Sequence, residues 1–152
     1  MNLEVKRYNS GMSEFRFHHP IEVRYGDLDP QGHLNNAKYL TYFEQARINY
    51  IQHLGLFSKG QSFSQIGIIL ADAHVFFKAV VQWGQQVSVG VRISRLGSKS
   101  MDMEYSMIDG ETGEELATGS TVLVAYDYRT SKSIPIPDEW RETIARFEDL
   151  QS

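Results

Sequence analysis

The chain has 152 residues, 41% hydrophobic and 22% charged, with a net charge of −4 and no cysteine. That is enough for one well-buried core and too apolar for disorder, so a single domain over residues 1–152 is expected. The missing cysteines exclude a disulfide framework, thiolate metal sites and a cysteine nucleophile, and the scattered basic residues argue against nucleic acid as a partner.

Residues 1–11 mix charge and amide and hold no apolar stretch of the length a signal peptide or membrane span needs, so a cytoplasmic protein with no membrane span is the expectation. Over residues 15–25, Ile21, Val23 and Tyr25 fall on one face and Glu22 and Arg24 on the other, which predicts a first strand. Gly26-Asp27-Leu28-Asp29-Pro30-Gln31-Gly32 follows, dense in turn formers, and Pro30 biases Asp29 towards extended backbone. From about residue 36 to 54, Leu40, Phe43, Arg47, Tyr50 and Leu54 recur at three- and four-residue steps, with Tyr39, Ala46 and Ile51 widening the stripe. This predicts a helix of about 28 Å, capped by Asn35 or Asn36 and stopped by Gly55.

Strand patterns dominate the rest. Residues 66–81 are rich in Ile, Val and Phe and predict a long, largely buried strand. Val87, Val89, Val91 and Ile93 alternate with polar residues, as do Met101, Met103, Tyr105 and Met107, which predicts two half-buried strands. Asp109-Gly110 and Thr112-Gly113 mark a hairpin before a strand over residues 116–128. A short closing helix is predicted with Asp138 as its cap and Trp140, Ile144 and Phe147 on one side. The order gives an α+β fold, with consecutive strands paired as antiparallel hairpins against the long helix.

Residues 24–37 concentrate the chemistry, and they admit several readings. One is a structural turn, in which Asp27 makes an Asx-turn, Asp29 caps backbone and the asparagines cap the helix. An EF-hand loop fails, because Lys38 stands where a bidentate Glu is required and a strand precedes the loop. A hydratase dyad of Asp27 and His33 has one residue too many between its members. A thioester hydrolase needs a carboxylate to attack or to activate water, and an unpaired amide for the oxyanion. An aspartate ahead of a helix N-terminus offers both. Elsewhere, residues 55–60 have phosphate-loop spacing, but Gln61 replaces the lysine, and residues 60–64 lack the last glycine of a serine-hydrolase elbow. His18, His19, His53 and His74 show no ligand spacing, so no metal is expected.

Tyr25, Asp27, Asp29-Pro30 and Gly32, leading into a long helix, resemble the signature of the 4-hydroxybenzoyl-CoA thioesterase type within the hot-dog superfamily. His33-Leu34-Asn35-Asn36 is similar to the branch acting on fatty or other acyl thioesters, and the turn over residues 95–100 and Ile134-Pro135-Ile136-Pro137 extend the likeness along nearly the whole chain. The resemblance implies an antiparallel sheet wrapped around one central helix, and hydrolysis of an acyl-CoA to free acid and CoA without a cofactor. It implies Asp29 as catalytic carboxylate, a first-turn amide near Asn36 as oxyanion donor, and Tyr25, Gly32, His33, Tyr39 and Phe43 beside the acyl group. Arg92, Arg95, Ser98 and Lys99 are the expected CoA contacts. Glu44 is the alternative catalytic residue, by likeness to a different hot-dog type. A homodimer or homotetramer is implied, its sites completed by partner residues. A hot-dog enoyl-CoA hydratase and a non-catalytic acyl-CoA binding protein are the rival functions.

Overall fold

A computed structural model describes residues 15–56 and 67–151. Strand β1 (Phe17–Glu22) passes through a 3-10 turn (Tyr25–Asp27) into helix α1 (Asn36–His53). Then come β2 (Ile68–Phe77), β3 (Gln86–Leu96), β4 (Ser100–Asp109), β5 (Glu115–Asp127), the two-residue β6 (Lys132–Ser133) and α2 (Asp138–Glu148). The sheet is antiparallel throughout, in the order β1-β3-β4-β5-β2, with β6 on β5.

Alternation decides which face meets the helix. Val87, Val89, Val91 and Ile93 on β3, and Met101, Met103, Tyr105 and Met107 on β4, are all buried in one core with α1. The helix supplies Tyr39, Tyr42, Phe43, Ala46, Tyr50 and Ile51. Phe43 stacks on Tyr105 with ring centres 4.7 Å apart, and a Cβ at Gly119 of β5 would overlap the Phe43 ring. Only glycine lets the helix sit this close to the sheet. The result is the hot-dog arrangement that the resemblance implies, with α2 against the far end of α1, where Tyr50 bonds Glu148.

Several expectations are corrected. The first strand ends at Glu22, and the 3-10 turn carries Tyr25 away from the core face shared by Ile21 and Val23. Leu40 is 41% exposed, because the buried stripe runs through Tyr39 and Tyr42 instead. Within β2, whose neighbourhood reads as buried in sequence, Leu70, Phe76 and Phe77 are exposed. The reason is its position: β2 pairs with β5 at the sheet margin and not with β3. Consecutive pairing therefore runs from β3 through β6, and β1 and β2 pair out of chain order with β3 and β5. The α2 cap position belongs to Pro137, with Asp138 as the first helical residue and no side-chain capping bond. Of the phosphate-loop-like stretch over residues 55–60, residues 57–60 lie outside the described residues, as does all of the elbow-like stretch over residues 60–64. Among the described residues no helix is long and apolar enough to cross a membrane.

Candidate active site

The 3-10 turn after β1 is closed by Asp27 N–H to the Arg24 carbonyl at 3.0 Å and Leu28 N–H to the Tyr25 carbonyl at 3.3 Å. It turns the Asp27 side chain inward, to 2% exposure. There Oδ2 accepts the Tyr42 hydroxyl at 2.7 Å. Arg24 donates through Nε at 3.2 Å and Nη2 at 3.1 Å, and Lys38 Nζ lies 3.8 Å away. The Arg24 hydrogen bonds outweigh burial and hold this carboxyl below the ordinary range, with Tyr42 adding to the effect. The Tyr42 hydroxyl is pushed up, first by burial and then by its bond to Asp27.

The next loop is closed by a bridge between Leu28 and Leu34. Inside it, Asp29 N–H donates to the His33 carbonyl at 2.8 Å, and Gly32 N–H donates to the Asp29 carbonyl at 3.0 Å. Asp29 Oδ1 accepts the amides of Gln31 at 2.9 Å and His33 at 3.1 Å. The Asx-type bond therefore belongs to Asp29 and not to Asp27, which corrects the structural-turn reading in detail. Gly32 has φ +78°, a left-handed conformation that brings His33 back within reach of Asp29. Both bonds fall on Oδ1, which fixes the orientation of a half-buried carboxylate.

The loop then delivers the helix. Asn35 N–H donates to the Asp27 carbonyl at 2.9 Å. Its side chain caps α1 by accepting the Ala37 amide at 3.0 Å. That choice settles the cap as Asn35 and makes Asn36 the first helical residue, whose amide is one of the donors a helix leaves unpaired at its N-terminus. Unpaired first-turn amides and the positive end of the helix dipole suit a developing oxyanion.

A second loop is joined to the first. Leu34 N–H donates to the Val81 carbonyl at 2.7 Å, and His33 bridges Gln82. Gln85 N–H returns to the Gln82 carbonyl at 3.2 Å across a turn in which Gly84 has φ +79°. This turn holds Trp83 edge-on to Tyr25, ring centres 5.9 Å apart, with exposures of 65% and 76%. Trp83 is absent from the residues expected at the site. Its signal in the sequence is a bulky aromatic beside a turn glycine, where the turn itself has no use for an indole.

Of the other expected acyl contacts, Tyr39 is buried edge-on to Phe77 at 4.8 Å. Burial and then the charge of Asp29 push its hydroxyl up, so Tyr39 and Asp29 share one electrostatic neighbourhood. Phe43, at 0% exposure, belongs to the core and offers no surface to a ligand. Glu44 is exposed, about 12 Å along the helix from Asn36 at 1.5 Å per residue.

The four expected CoA contacts lie elsewhere. Glu22 pairs with Gln86 at the start of β3, whereas Ser98 and Lys99 sit exposed beyond Leu96 at its other end. Strand rise puts these two ends roughly 30 Å apart. Arg95 is bound to Asp102 at 2.7 and 2.9 Å. Arg92 is 9% exposed, donates to Glu104 at 2.6 Å and covers the Phe15 ring at 4.7 Å. Its position is that of a structural cation. Among the described residues no group of three or more His, Asp or Glu side chains could hold a metal.

Comparison with known proteins agrees with this fold. The sequence model of the Thioesterase-like superfamily matches residues 23–144. The crystal structure of a thioesterase from Thermus thermophilus, complexed with coenzyme A and Zn, superposes with a TM-score of 0.80 and 33% identity, over 93% of this chain and 100% of that one. The DHNA-CoA thioesterase from Staphylococcus aureus gives a TM-score of 0.74 and 28% identity over 87% and 90% of the two chains. The long-chain acyl-CoA thioesterase FadM of Escherichia coli strain K12 is 23% identical, over 84% of this chain and 96% of its own.

Proposed function

Because this chain belongs to the thioesterase-like superfamily, we propose that it hydrolyses an acyl-CoA thioester by the arrangement of the 4-hydroxybenzoyl-CoA type, with Asp29 as the reacting carboxylate. The observation that supports this most is the loop over residues 28–34, which pins Asp29 by its Oδ1 and passes directly into a helix whose cap takes the Ala37 amide and spares that of Asn36. The thioester carbonyl oxygen accepts the Asn36 amide. Asp29 either attacks the carbonyl carbon or removes a proton from the water that does. Collapse of the tetrahedral state breaks the C–S bond and the leaving thiolate takes up a proton; on the route in which Asp29 attacks, water then cleaves the mixed anhydride and frees the carboxylate. One water is consumed, and the products are the free acid and CoA with its thiol.

The acyl group lies towards His33, Tyr39 and the Tyr25–Trp83 pair. The CoA phosphates meet Arg95, Ser98 and Lys99 of a second copy of the chain. Two facts support this split. The site and those residues stand at opposite ends of β3 within one protomer. The margin strand β2 exposes Leu70, Phe76 and Phe77, and the edge away from β5 has no partner strand among the described residues. An unpaired apolar edge is a template for pairing. Antiparallel pairing of two β2 edges reverses one protomer, bringing the far end of its sheet to the Asp29 side of the other.

The test is release of free thiol from a panel of acyl-CoAs. Turnover of at least one ester is expected. Loss of an enoyl chromophore without thiol release would make the protein a hydratase, and binding without release at any pH would make it a carrier or sensor.

A further inference from the structure

We propose that Asp27 is a positioning residue: with Tyr42 it forms a latch that sets the Asp29 loop against the N-terminal end of α1. This rests on the reading of Asp29 and Asn36 above. Asp27 holds the helix at two points. Its carboxylate accepts the Tyr42 hydroxyl at 2.7 Å, in the second turn of α1, and its main-chain carbonyl accepts the Asn35 amide at 2.9 Å, one residue before the helix begins. Towards the loop, Leu28 alone separates it from Asp29, and Leu28 is itself bridged to Leu34. The route from the latch to either reacting group is therefore short and hydrogen-bonded along its length, with little slack to absorb a displacement.

The chemistry of the latch exceeds what loop closure needs. A carboxylate at 2% exposure is costly unless paired, and this one is met by Arg24 from the solvent side and by Lys38 from the helix. The turn between β3 and β4 does without such a centre. It is held by main-chain bonds from Gly97 to Ser100 and from Ile136 to Ser98, by Arg141 on the Gly97 carbonyl at 2.6 Å, and by an Arg95–Asp102 pair that stays in solvent instead of being buried. A buried ion pair at residue 27 supplies what those bonds do not, a fixed distance between a loop and a helix axis.

Tyr42→Phe removes one hydroxyl and keeps the ring, and Asp27→Asn keeps the size and removes the charge. Each is expected to lower kcat by about 10- to 100-fold, as misplacement of reacting groups does, with KM changing less than about threefold. The double variant is expected to lose little more than the worse single one, since both break the same unit. Amide exchange at Asp29, Gly32 and Asn35, whose N–H groups are hydrogen-bonded in the loop, measured on the same samples, is expected to quicken by about tenfold or more. Unchanged kcat per folded molecule, a rise in KM at constant kcat, or unaltered exchange would each overturn the latch. If wild-type protein frees CoA from no ester, the thioesterase reading fails, and exchange in the two variants then decides the latch alone.

Discussion

The two ends of α1 each tie a helix tyrosine to a buried carboxylate by a 2.7 Å hydrogen bond, Tyr42 to Asp27 and Tyr50 to Glu148, yet the two carboxyls shift in opposite directions. Asp27 is lowered, chiefly by the Arg24 hydrogen bonds. Glu148 is raised, chiefly by burial, which outweighs its bond to Tyr50 and the charges of Arg16, 3.8 Å away, and Arg92. Desolvation and nearby cations act on both, and the sign follows whichever is larger: the direct Arg24 hydrogen bonds at Asp27, burial at Glu148. The surroundings follow the same division. Phe17, Tyr50, His53 and Phe147 form an aromatic seam beside Glu148. Asp27 opens onto a polar loop with Tyr25 and Trp83 exposed at its rim. One end is kept ionised where chemistry is proposed, and the other is a seal.

The sharpest way to separate the ends is Asp29→Asn. The amide oxygen can still accept the Gln31 and His33 N–H groups, so the loop is expected to survive while the reacting charge is lost. Steady-state thiol release should fall by at least ~10² in kcat/KM with the melting temperature near that of the wild type. An intermediate effect is expected at the sealed end. Tyr50→Phe leaves Glu148 buried without its main hydrogen-bond donor and should cost about 1–3 kcal/mol in denaturant unfolding, with kcat unchanged. Tyr42→Phe reverses that emphasis, and equal effects of the two tyrosine changes on turnover would erase the contrast.

The smallest expected effect lies in pH dependence, and its sign differs between the ends. A depressed folded pKa at Asp27 gives stability that is present above the unfolded value, near about 3.9, and lost as pH falls through the folded one. A raised folded pKa at Glu148 gives stability that is full below the unfolded value, near about 4.3, and lost as pH rises through the folded one. Thermal unfolding across pH should therefore show the wild type gaining on Asp27→Asn as acid is removed, and losing ground to Glu148→Gln over the rise from about pH 4.

Much of this was legible in the residues. Alternation placed Val87 to Ile93 and Met101 to Met107 on the core face, because strand geometry leaves them no other option. Turn chemistry located the Asp29 loop, and helix periodicity located α1. Position within the sheet was not legible: the apolar run around β2 reads as buried in sequence, but at the sheet margin its Leu70, Phe76 and Phe77 are exposed. Partnership was not legible either. Tyr42 sits on the buried stripe beside Phe43, and nothing local announces that its hydroxyl meets Asp27 fifteen residues earlier. Arg92 has the look of a ligand cation until the register sets Glu104 directly across from it. The spacing of α1 gave the helix but could not choose between Leu40 and Tyr42 for its inner face.

The central claim is that the Asp29 carboxylate and the Asn36 amide act on one thioester carbonyl. A crystal structure of Asp29→Asn with an intact acyl-CoA bound tests it most directly. The carbonyl oxygen is expected within about 3 Å of the Asn36 nitrogen, with the carbonyl carbon facing the side chain at position 29. A thioester bound with its carbonyl away from the first turn of α1, beside Glu44 or at the β3–β4 turn of the same protomer, would contradict it.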